Sequence, residues 1–334
     1  MKRRSHLLAT LLGIALGPVL ACDSDKGSED SADGAKSADP SSGEAPAVPT
    51  GPAEELDDAA LAELLARVQS ELEAQGPSPE RTAALRQVTE QADDPHLRAN
   101  ASLLLGALAE ESGDRRSAIS FYTQAREWVP QEPATHAVLA LALAAEGEYA
   151  KASEVQHALV ELTPDDLQAW LIWGEIEAKA GNGDKAAEVY AGYEMRRTGL
   201  LDGLTLKKDG AYQASDEDRV VIVENLVAAT DNGTALALLY ALDSDPSPAV
   251  RAALIELMGT QRLVGYRAGL EAQLAAAQDP EMKKLVEWAL AEIARDGVES
   301  RPGPAPAQAP PSDGDDAAEA GEGAADGASP GSAK

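Results

Sequence analysis

The chain has 334 residues and a formal charge of −29; aromatic residues make up only 4%, with one Phe, while alanine and leucine abound. That balance favours helices packed through small side chains over sheets built from Val, Ile, Tyr and Phe. The acidity, with no Lys/Arg cluster past residue 4, excludes nucleic acid as a partner and sets the body against anionic lipid headgroups.

Met1-Lys2-Arg3-Arg4 is a positive opening, and Leu7 to Ala21 is an apolar run of about fifteen residues, short for a membrane span of ~20 and right for a signal peptide over residues 1–21. The only cysteine of the chain, Cys22, follows that run directly, so no disulfide can form within one chain. Val19-Leu20-Ala21-Cys22 resembles the lipobox of bacterial lipoproteins. The resemblance implies that the Cys22 sulfur is diacylated, as with palmitate, and that Cys22 becomes the new N-terminus. The anchor would hold the protein to an envelope membrane, facing the periplasm. At roughly 0.8 kcal/mol per buried methylene, several acyl chains give a permanent tether. An ordinary signal peptide cut near Ala21 is the rival reading, with an incidental cysteine. Asp23, a residue that retains some lipoproteins at the inner membrane, leaves inner versus outer membrane open.

Residues 22–53 are Ser, Asp, Gly, Ala and Pro with almost no large apolar side chain, and are expected to form a disordered acidic tether. Residues 54–98 then read as a helical hairpin. Leu61, Leu64, Leu65, Val68 and Leu72 form a stripe, Gly76-Pro77-Ser78-Pro79 a turn, and Ala84, Leu85 and Val88 face back from a second helix.

From residue 99 the chain repeats itself. Gly113, Gly147 and Gly181 recur every 34 residues, as do Ala118, Ala152 and Ala186, and Gly106, Ala140 and Gly174; Pro130 and Pro164 close two units. Tyr122 and Tyr190 match across two periods with Gln156 between them. The pattern over 99–200 resembles three tetratricopeptide repeats (TPRs), with 54–98 a degenerate unit capping the end of the stack. The resemblance implies helical hairpins whose small residues allow close approach and whose glycine ends the first helix. Leu105, Leu139, Trp170 and Trp173 are expected to pack between units. It also implies a groove, lined by the first helices, that binds a protein segment. By register its residues are Asn100, Leu103, Ala107, Ala134, Ala137, Leu141, Gln168, Leu171 and Glu175. These lack the basic and amide set with which some family members clamp a C-terminal carboxylate, so an amphipathic helix or apolar extended segment is the expected guest.

Residues 201–214 read as a connector. Ser215 with Asp218 forms a capping box before Val220 to Leu226. Arg219, Arg251 and Lys283 recur every 32 residues, and Ile222, Leu254 and Val286 share a register with Leu226, Met258 and Leu290 close behind. Over 215–296 this resembles short HEAT-type repeats; a small capping bundle fits the same registers. Residues 297–334 return to Pro, Ala, Gly and acid as a disordered tail.

No catalytic constellation stands out. His96, His136 and His157 are scattered without clustered Cys or carboxylates, and Gly181-Asn182-Gly183-Asp184 falls in an interhelical turn, not a phosphate loop. Glu54, Glu55, Asp57 and Asp58 suit the positive end of the first helix. The expected protein is therefore an all-α helical-hairpin solenoid, non-enzymatic, with no cofactor, metal or small-molecule substrate. It is read as a membrane-anchored scaffold for protein partners in the cell envelope, the alternative being an accessory subunit of an envelope hydrolase or a peptidoglycan-associated binding protein.

Overall fold

Helix starts and stops are written locally. The computed structural model describes residues 55–300; the signal peptide, Cys22, the tether, Glu54 and the tail from residue 301 lie outside the described residues. Helix α1 (Asp58–Gln75) opens on Asp57, whose carboxylate accepts the Ala60 N–H, and α2 (Pro79–Gln91) opens on Ser78, which accepts the Arg81 N–H. Each cap satisfies a backbone donor that the first turn would otherwise leave open. Leu61, Leu65, Val68 and Leu72 from α1 meet Leu85 and Val88 from α2 in one buried cluster, which continues into Leu104 and Leu105 of α3 (Pro95–Glu111). Asp94 caps α3 with Pro95 in its first turn, so the helix starts ahead of the 34-residue frame, in the position where proline's missing N–H costs nothing.

Three hairpins follow: α3 with α4 (Arg115–Trp128), α5 (Pro133–Ala145) with α6 (Tyr149–Leu162), and α7 (Leu167–Lys179) with α8 (Gly183–Thr205). Their turns are copies of one another. Gly113, Gly147 and Gly181 take φ of 83°, 82° and 80°. The next residue's N–H returns to a carbonyl in the helix's last turn: Asp114 to Ala109, Glu148 to Leu143, Asn182 to Glu177. A left-handed residue followed by that long return bond is the helix stop glycine makes with least strain.

The small-residue register has a direct steric cause. A Cβ on Gly106 would stand 2.6 Å from Cδ1 and 2.9 Å from Cζ of Tyr122, which is 1% exposed. The Tyr122 hydroxyl donates to Glu110 at 2.8 Å. Burial, with the Glu110 carboxylate beside it, pushes the phenol's pKa up. In the second unit the tyrosine position holds Gln156 and the glycine position Ala140, both fully buried; a slimmer side chain goes with room for a methyl. Gln156 Nε2 donates to the Ala169 carbonyl at 2.8 Å, binding α6 to the start of α7.

The chain divides into two compact units, the boundary falling inside α8 between Val189 and Tyr190. In the second unit, α8 runs past the expected end at 200 to Thr205. The connector then holds a two-residue antiparallel ribbon, β1 (Lys207–Lys208) and β2 (Ala211–Tyr212). Its turn is Asp209-Gly210, with φ of 53° and 83°, the sequence and geometry that fit a tight hairpin to the twist of its strands. Helices α9 (Asp216–Asn225), α11 (Pro248–Gln261) and α13 (Pro280–Asp296) pack in series, with α10 (Asn232–Ser244) against α11 and α12 (Arg267–Ala276) against α13. The 32-residue register thus marks one row of helices. Ser215 caps α9 by accepting the Asp218 N–H.

Arg219, at 2% exposure, joins this unit together. It makes a two-pronged ion pair with Asp245 (3.0 and 3.1 Å), donates to the Ala214 carbonyl and Asp216, and stacks over Tyr212. Gln261 Nε2 caps three carbonyls after α9, those of Leu226, Val227 and Ala229, and its Oε1 accepts the Tyr266 hydroxyl at 2.5 Å. A buried side chain that closes a helix end this way satisfies carbonyls that no helical N–H reaches.

Candidate functional site

First helices of successive hairpins place equivalent residues in rows, one residue per helix. One row is Asn100, Ala134 and Gln168; Asn100 is exposed and the other two half-buried. A second is Leu103, Ala137 and Leu171, all half-buried. Here Leu103 packs on Ala99, Ala125 and Val129, and Ala137 on the cluster around Leu159, Val160, Ala169 and Trp173. The third row is Ala107, Leu141 and Glu175. Leu141 is 44% exposed, Glu175 half-buried, and Ala107 only 2% exposed. Ala107 therefore sits inside the fold, and the surface set consists of the other eight residues.

That face is apolar with acid at its margin. Glu175 is half-buried and pairs with no cation among the described residues, whereas the Glu110 carboxylate turns to the Tyr122 hydroxyl on α4. Helix α5 carries no Lys, Arg, Asp or Glu from Pro133 to Ala145. Arg98, at the start of α3, stacks over the Trp128 ring at 4.5 Å and donates to the Ala92 carbonyl, which directs it away from the rows.

The tryptophans bind units together. Trp170 Nε1 donates to the Pro164 carbonyl at 2.9 Å, and His136, one period earlier, places Nε2 2.9 Å from the Pro130 carbonyl. The same contact recurs at successive joints with two different side chains, because proline ends the second helix and leaves its carbonyl free. Trp173 donates to Ser153 and Glu177. Glu177, 4% exposed, is held by Ser153 at 2.5 Å and Asn182 at 2.8 Å. Burial pushes its carboxyl pKa up, and the Ser153, Asn182 and Trp173 donors outweigh that and hold it low. Nothing in the 34-residue pattern pointed to Glu177; three donors converging on one carboxylate arise only when α6, α7 and the following turn meet.

No periodicity in the sequence marks a further patch, on α10. Leu236 and Tyr240 are 69% and 62% exposed, four residues apart on one helix, while Ala235, Leu238, Ala241 and Leu242 fill its opposite face. A helix apolar all round is ordinarily covered. Among the described residues, no group of His, Cys, Asp and Glu has the arrangement to hold a metal ion, and no helix is long and apolar enough to cross a membrane.

A stack of helical hairpins with an apolar first-helix face defines a repeat protein of the helix–turn–helix kind. Comparison with family models agrees: the tetratricopeptide repeat model matches residues 109–172, a span running from the end of α3 into α7, so this part of the chain carries tetratricopeptide repeats. No curated protein matches the chain.

Proposed function

We propose that this protein is a non-enzymatic interaction scaffold of a bacterial cell envelope, lipid-anchored through Cys22, that receives a segment of a protein partner on the first-helix face of its TPR units. The observation that carries the reading is Leu141, exposed in the middle of a row of first helices whose fold is a protein-binding one. An apolar side chain left in water at the centre of a face costs hydrophobic free energy that a bound partner recovers. The lipid anchor is supported by Val19-Leu20-Ala21-Cys22 behind an apolar run, and it would hold the scaffold within a tether's reach of the membrane. Helices α9, α11 and α13, with their 32-residue register, are proposed as HEAT-type repeats extending the scaffold.

Two measurements test this. Cells fed labelled palmitate should label the wild-type protein and leave Cys22→Ala unlabelled; an unlabelled wild type removes the anchor. Co-purification from solubilised envelopes should recover protein partners with the wild type and lose them with Leu141→Glu or Leu103→Glu, with circular dichroism confirming that the variants fold. Unchanged partners in both variants would remove the face from the proposal.

A further inference from the structure

Resting on the reading of the first-helix face as a binding surface, we propose that its occupant is a cationic amphipathic helix supplied by another protein. Three observations select it. The first is the polarity of the face. The rows present Leu103, Ala137, Leu171 and Leu141, while the groups able to hydrogen-bond a guest's backbone are Asn100 and Gln168 in one row and the Glu175 carboxylate in another. An extended segment brings unpaired N–H and C=O groups that need partners along its whole length, whereas a helix satisfies its own and asks only for apolar contact. The second is charge. Glu175 lies within the third row and is neutralised by no cation among the described residues, and the whole chain carries −29. A guest with Lys or Arg flanking its apolar stripe gains from that carboxylate, and an acidic guest is repelled as it approaches. The third excludes the chain's own ends. Once residues 1–21 are removed as proposed above, the ends that remain beyond Cys22 are 23–53 and 301–334, which are acidic overall and contain one Val, no Leu, Ile, Met or aromatic residue, so neither supplies an apolar anchor and both carry the disfavoured charge. The guest therefore comes from another chain.

The test starts from the mature chain from residue 22 and three labelled peptides with the same leucine stripe of about three turns: one with lysines flanking it, one with glutamates, one with glutamines. Fluorescence anisotropy should give the lysine peptide an affinity about tenfold above the glutamine peptide, a preference that shrinks toward 1 M salt where the Debye length falls to about 3 Å. Glu175→Gln should weaken the lysine peptide about threefold, as one charge pair at a part-buried face allows. Glu154→Gln, the same charge change on an exposed position of α6, should leave it unaltered. If both variants weaken binding equally, the attraction is diffuse and the proposal is wrong. If the glutamine or glutamate peptide binds as tightly as the lysine peptide, the cationic guest is wrong while the face keeps its role. If none of the three binds, or Leu141→Glu changes nothing, the face itself is wrong and the proposal falls with it.

Discussion

Gly106→Ala is the substitution in which two physical effects oppose each other most plainly. Replacing glycine by alanine inside a helix ordinarily stabilises by about 1 kcal/mol, because the unfolded chain loses freedom. Here the new methyl would lie under 3 Å from the Tyr122 ring, which is buried and has its hydroxyl held by Glu110. Neither the ring nor α4 has room to yield, and forced overpacking costs roughly 1–3 kcal/mol. Taking the upper half of that range, the net loss is about 1–2 kcal/mol, and with a urea slope of ~2 kcal/mol/M the midpoint falls by about half to one molar. The chain's four tryptophans allow the measurement in one unit. Trp128, Trp170 and Trp173 lie in the first and Trp288 in the second, so urea unfolding followed by fluorescence in a Trp288→Phe background reports the first unit alone. Tyr122→Leu removes the obstructing ring. In that background Gly106→Ala should become neutral or stabilising, a coupling of about 2 kcal/mol between two residues in contact. An unchanged or raised midpoint for Gly106→Ala alone, or an identical effect with and without Tyr122, would refute the steric account of the repeat's small-residue register.

Gly147→Ala tests a different mechanism: open space surrounds the site but φ is 82°, so a loss of about 1–2 kcal/mol is expected from backbone strain alone, with no rescue by any neighbouring substitution. Glu177→Gln should cost the first unit about 1–3 kcal/mol at neutral pH by unbalancing a buried network. Because the donors hold the folded carboxyl low, the unfolded chain takes up the proton first. The network's contribution is therefore present above the ordinary carboxyl range near ~4.3 and fades as pH falls through the folded value. The gap between wild type and variant, read by urea titrations at several pH values, should close on the acid side; a constant gap would show that charge is not the cause. Asp245→Ala should destabilise the second unit by about 3–5 kcal/mol, since it leaves the buried Arg219 guanidinium uncompensated, whereas Arg219→Met with Asp245→Leu should lose much less. The fluorescence difference between otherwise identical proteins with and without Trp288 reads both, and equal losses would contradict the desolvation argument.

Much of the architecture was legible in the sequence because its causes are local or periodic. The stripe from Leu61 to Leu72, the acidic start of the first helix at Asp57 and the cap at Ser215 needed only neighbours in the chain, as did the glycines at 113, 147 and 181. A stop signal repeated three times at one interval leaves few folds to choose among. The register also showed which residues share a row on the first helices. It did not show which of them reach water. Ala107 and Leu141 hold equivalent positions, yet one is buried and the other 44% exposed, because exposure depends on the side chains that neighbouring helices bring alongside.

The sequence by itself thus determined helix content, the hairpin period and the excess of negative charge, since each follows from residue type and spacing. Tertiary structure decided that Gly106 is required by Tyr122, that Glu177 and Arg219 are buried with their partners, that the connector folds as a ribbon under an arginine, and that Leu236 and Tyr240 on α10 face outward. Those outcomes depend on contacts between segments far apart in the chain, and such contacts are set by how whole helices pack, which no single stretch of residues specifies.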